Sequence, residues 1–115
     1  MARRIILSRQ RFEYLVGKVL SGLPEEFQSR LENVALFIED EPPADMPDIL
    51  GLYEGVPLTE RSLDGITLPD RITLYKRPIE RACRTENEIK TEVRLTVLHE
   101  VGHFFGLQEE QLGKI

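Results

Sequence analysis

The stretch "TENEIKTEVRLTVLHEVGHFFG", residues 85–106, decides how this chain is read. Thr85-Glu86-Asn87-Glu88 has the form of a capping box. In that motif a hydroxyl accepts from the amide three residues on, and the glutamate reaches back to the cap. Gly106 supplies the left-handed residue that often ends a helix. The pattern predicts one long helix from Thr85 to about Phe105, with both histidines of the chain in its last two turns.

Residues four apart on a helix stand one above the other, about 5–6 Å between Cβ atoms. His99 and His103 can therefore converge on one divalent ion, zinc being the best match for neutral imidazole at metal–nitrogen distances of about 2.0–2.1 Å. At about 100° per residue, Ile89, Val93, Thr96, Val97 and Phe104 gather on one side of the helix, and Glu100 falls among them. A lone carboxylate there is costly to bury, and a metal-bound water beside the histidines is a partner for it. In that role Glu100 is a general base. The pattern H-E-x-x-H also occurs by chance, and two ordinary polar residues in a core are the plain alternative. Against it stand the cap, the use of every histidine in the chain and the placing of Glu100. Gly102, which costs up to about 1 kcal/mol relative to Ala inside a helix, is expected to admit a neighbouring strand.

Outward from this helix, the composition is that of one globular domain, residues 1–115, with 41% hydrophobic residues to form a core. Charged residues are 30% of the chain and the net charge is −5, which argues against a nucleic-acid partner. The N-terminal apolar run, Ile5 to Leu7, is too short for a signal peptide or a membrane span. The single cysteine, Cys83, excludes an internal disulfide. A cytoplasmic protein with no membrane partner is the expectation. Cys83 has basic neighbours that could lower its pKa, but a small, partly buried structural residue is the favoured reading.

Upstream, Ser8 is an N-cap for a first helix whose stripe is Phe12, Leu15, Val16, Val19 and Leu20, ended by Ser21 and Gly22. Pro24 opens a short second helix through "PEEFQSRL". "NVALFIED" is a strand, with Val34, Leu36 and Ile38 on one face. Residues 39–48, with three prolines and five acids, form a loop. Short strands follow, with turn signals at Asp64-Gly65 and Pro69-Asp70. The clearest strand alternates Ile72 and Leu74 with Thr73 and Tyr75, and Pro78 then opens a helical turn, "PIERACR".

With these residues in view, "HEVGHFFGLQEE", together with "GLYEGVPLTERS" and "LPDRITLYKRPIERACRT", resembles a family of small bacterial zincin-like metallopeptidases. The resemblance covers nearly the whole chain. It implies an α+β fold, a small mixed sheet packed on an active-site helix, with His99 and His103 binding Zn2+ and Glu100 as the catalytic base. It also implies that Gly106 turns the chain and that Glu109 stands where metzincins place a third histidine and this family usually has aspartate. No methionine, tyrosine or histidine follows Gly106, so the methionine turn and any downstream oxyanion donor of larger zincins are missing. Tyr53, Arg61 or Arg71 could fold back to supply one, although strand packing and surface ion pairs are the plainer roles.

For the third ligand the residues themselves point the same way. Glu92 lies about 10 Å before His99 along the axis, too far to share the ion, and reads as a solvated or supporting group. After Gly106 reverses the chain, Glu109 is the first acid able to return, with Glu110 the alternative one residue out of register. The leading function is a zinc-dependent hydrolase acting on peptides or unfolded protein. A non-catalytic, zinc-stabilised peptide-binding module is the alternative, and hydrolysis of a non-peptide bond such as RNA is disfavoured by net acidity. A peptide substrate is expected along "RITLYKR", residues 71–77, taken as the edge strand nearest the helix.

Overall fold

The computed structural model describes residues 4–55, 62–63, 66–67 and 69–104, with only the backbone at 62–63, 66–67, 103 and 104. Helix α1 spans Arg9–Ser21 and begins as the sequence demands: the Ser8 hydroxyl accepts from the Arg11 amide at 3.1 Å. Its stripe Phe12, Leu15 and Val16 is buried, with Val19 and Leu20 packed against the same core. Helix α2 spans Glu25–Leu31, and Pro24 sits at its N-cap without a side-chain bond.

Strand β1 (Val34–Glu39) presents Val34, Leu36 and Ile38 to the core and leaves Phe37 largely exposed. Beyond the loop come β2 (Gly51–Glu54), the short strands β3 (Ser62–Leu63) and β4 (Ile66–Thr67), and β5 (Asp70–Tyr75). Strands β3 and β4 pair antiparallel, Leu63 opposite Ile66. They flank positions 64 and 65, which lie outside the described residues. Helix α3 (Lys76–Arg81) follows β5 directly, and α4 (Glu86–Phe104) completes the described chain.

The sheet order is β1-β5-β2, with β1 parallel and β2 antiparallel to β5. The fold is α+β. The register places Ile72 between Leu36 and Tyr53, and Leu74 between Ile38 and Gly51, on one face. That face packs into one core with Phe12, Leu15 and Val16 of α1 and Ile89, Val93, Val97 and Val101 of α4.

Strand β5 overturns one expectation. It is the central strand, paired on both sides, so "RITLYKR" is no edge and cannot accept an added peptide strand. Its two faces are also both covered: Thr73 and Tyr75 are buried along with Ile72 and Leu74, as befits a strand with a parallel neighbour inside a sheet. Asp70 is the first residue of this strand, opposite Val34. Helix α3 starts two residues before Pro78 because Lys76 is drawn inward. Lys76 Nζ donates to Glu80 Oε2 at 2.9 Å, both side chains buried. The same oxygen accepts from the Leu7 amide at 2.7 Å, so this ion pair also pins the N-terminal segment.

The open edges are β1 and β2, among the described residues. Arg9 of α1 donates to the Ile38 carbonyl and so blocks part of the β1 edge.

Candidate metal centre

Helix α4 is fixed at its start by the expected hydroxyl bond, Glu88 amide to Thr85 Oγ1 at 3.1 Å. The Glu88 carboxylate reaches one residue further back than a capping box requires, accepting from the Arg84 amide at 3.2 Å. Arg11 adds a forked contact from α1, its Nε and Nη2 donating to the two Glu86 oxygens at 2.9 and 2.6 Å. That hydrogen bond holds the Glu86 carboxyl below its ordinary value.

Ile89, Val93, Val97, Leu98 and Val101 are buried along α4. Thr96 meets β2 at Gly51. A Cβ built on Gly51 would lie 2.6 Å from Thr96 Cγ2, 3.2 Å from the Thr73 carbonyl and 3.4 Å from Leu74 Cδ2. Helix and strand touch there only because residue 51 has no side chain. This close approach is made by a glycine on the strand side. A lone glycine in "LGLYE" is the sequence signal for it.

One turn beyond Thr96 stand His99 and Glu100, both half-buried. They line a cleft of about 390 Å³ together with Ile49, Leu50 and Gly51 on the strand side and Glu92, Leu95 and Thr96 on the helix. Glu100 is therefore at the border of the apolar stripe and faces open space, where the sequence placed it within the stripe. It is half-buried in the cleft wall rather than enclosed in the core. Position 103 is one helical turn past His99 on the same side of the backbone. The His103 side chain, Gly106, Glu109 and Glu110 lie outside the described residues.

Of the proposed oxyanion donors, Tyr53 gives its hydroxyl proton to Asp70 Oδ2 at 2.9 Å. Arg71 lies 3.7 Å from Glu54 and over the Phe37 ring, 4.4 Å from its centroid. These are packing and ion-pair roles; Arg61 lies outside the described residues. Cys83 is buried, and burial, with Glu92 and Glu88 nearby, pushes its thiol up to about 11. It is a structural residue, and its basic sequence neighbours do not activate it. Among the described residues no helix is long and apolar enough to cross a membrane.

A conserved hypothetical protein from Thermo thermophilus shares this fold. It superposes with a TM-score of 0.57 at 24% identity, over 94% of this chain and 100% of that one. No curated protein matches the chain. The model of the zincin-like metallopeptidase family matches residues 31–115, from the last residue of α2 through β1, the sheet and α4 to the end of the chain. The chain belongs to the zincin-like metallopeptidase family.

Proposed function

We propose that the cleft between α4 and β2 is the active site of a zinc-dependent hydrolase that cleaves peptides. The observation that carries the reading is that His99 and Glu100 share one wall of a cleft whose other wall is the start of an edge strand. The donor set fits zinc. An imidazole half-open to the cleft and a second histidine position one turn on are groups such an ion takes. His99, His103 and Glu109 are assigned as ligands, and Glu100 as the base.

Zinc, when bound, lowers the pKa of water from roughly 15.7 to about 7 and polarises the carbonyl under attack. Glu100 accepts the proton of the attacking water and delivers it to the departing amine. With β5 enclosed, the strand that can receive an extended substrate beside the cleft is β2, through its outer edge. This corrects the placing of the substrate and leaves the mode of binding unchanged.

Zinc content and cleavage of a broad peptide library, measured on the parent and on Glu100→Gln, test the reading. The variant keeps the metal and loses about 10²–10⁴ in rate, the usual range for a general base. Equal cleavage by both proteins removes Glu100 from the mechanism. Zinc and peptide binding without cleavage by either leave a zinc-stabilised binding module.

A further inference from the structure

Glu92 and Leu95 line the same cleft as His99 and take no part in the chemistry above. Leu95 is 43% exposed, a large apolar side chain left uncovered one turn before His99. Ile49 and Leu50, both half-buried, face it from the strand side of the cleft. Glu92 is half-buried on the same side of α4, and no cation pairs with it among the described residues. Glu92 and Glu88 both lie near the buried Cys83 thiol. Among the described residues, an apolar patch followed by a carboxylate with no paired cation thus runs along one wall from the histidine outward.

We propose that this wall selects substrates with an apolar side chain beside the scissile bond and a basic side chain about three residues from it. The inference rests on the reading that the cleft holds peptides, and it names which peptides. Glu92 and His99 are seven residues apart, about 10 Å along the axis at 1.5 Å per residue. An extended peptide advances about 3.3 Å per residue, so its third residue from the reacting carbonyl comes level with Glu92. The residues between pass Leu95, Ile49 and Leu50, which favour apolar side chains by burial. A lysine or arginine at the far position supplies the charge that Glu92 lacks.

The test uses quenched-fluorescence peptides that differ only by Lys, Gln or Glu at each of three positions on either side of the scissile bond. They are given to the parent, Glu92→Gln and Glu92→Lys. Binding of the same peptides to Glu100→Gln, and to Glu100→Gln carrying Glu92→Gln, is measured by calorimetry. The parent should favour Lys over Glu by about fivefold in kcat/KM at the third position on one side, the range of a partly exposed ion pair. Glu92→Gln should flatten that preference, Glu92→Lys should reverse it, and the Gln peptide should be cleaved equally by all three. A parent with no charge preference, or a preference that survives Glu92→Gln, overturns the proposal and leaves the hydrolase intact. If nothing is cleaved, a basic preference in binding that vanishes with Glu92→Gln upholds the wall while the hydrolase falls. Absence of both cleavage and binding overturns both.

Discussion

Two neighbouring residues, Thr96 and Gly51, set how near the site helix lies to the sheet. Gly51→Ala puts a methyl 2.6 Å from Thr96 Cγ2 and 3.2 Å from a backbone oxygen. Only the first contact has a side chain that can yield. Overpacking of this kind costs about 1–3 kcal/mol, and it displaces α4 where His99 and Glu100 line the cleft. Chemical denaturation should show that loss, and adding Thr96→Ser, which removes Cγ2, should recover part of it. Strict additivity of the two substitutions would mean that the contact does not hold helix to strand. That His99 and Glu100 share one helix could be read from the sequence because their relation is local, a matter of helical spacing. Gly51 could not be paired with Thr96 in that way, since 45 residues separate them and only the folded sheet brings them together.

At the scale of elements, caps and short-range periodicity were legible: Ser8, Thr85 and the stripe of α1 all behave as their spacing says. Strand order was not. The alternation in β5 marks a strand but does not tell that both its faces are covered, and Thr73 and Tyr75 are buried. Nothing within six residues reveals that β1 and β2 close on either side. The buried Lys76–Glu80 pair was hidden for the same reason, since charged residues in "YKRPIE" read as solvent-facing. Glu80→Ala leaves the Lys76 ammonium buried without its partner and frees the Leu7 amide, so a loss of about 3–5 kcal/mol is expected in denaturant melts. A loss below 1 kcal/mol would show that the pair is not holding the N-terminal segment. The Arg11–Glu86 fork between α1 and α4 has a pH signature. Because the Glu86 carboxyl is held below its ordinary value by the Arg11 hydrogen bond, its contribution is present above the unfolded-state pKa. It is lost as the pH falls through the folded one. In Arg11→Ala, NMR titration should find the Glu86 carboxyl back in the ordinary range; an unchanged midpoint would assign the depression to something else.

For the whole molecule, the α+β class and the family came from a resemblance spread over nearly the whole chain, and the family match over residues 31–115 bears it out. Helix α1 lies before that match and still supplies Phe12, Leu15 and Val16 to the core beneath α4. Among the described residues the cleft is lined by a helix and the start of an edge strand with the residues just before it, and the sequence described the helix best. The central claim, that His99, His103 and Glu109 hold a zinc ion, is tested most directly by zinc X-ray absorption on the full chain loaded with one equivalent of metal. Two imidazoles with oxygen donors, all at about 2.0–2.2 Å, are the expected shell, with one imidazole lost in His103→Ala and one oxygen lost in Glu109→Ala. A shell without imidazole, a sulfur at about 2.3 Å from Cys83, or zinc that washes away from the parent chain would contradict the claim.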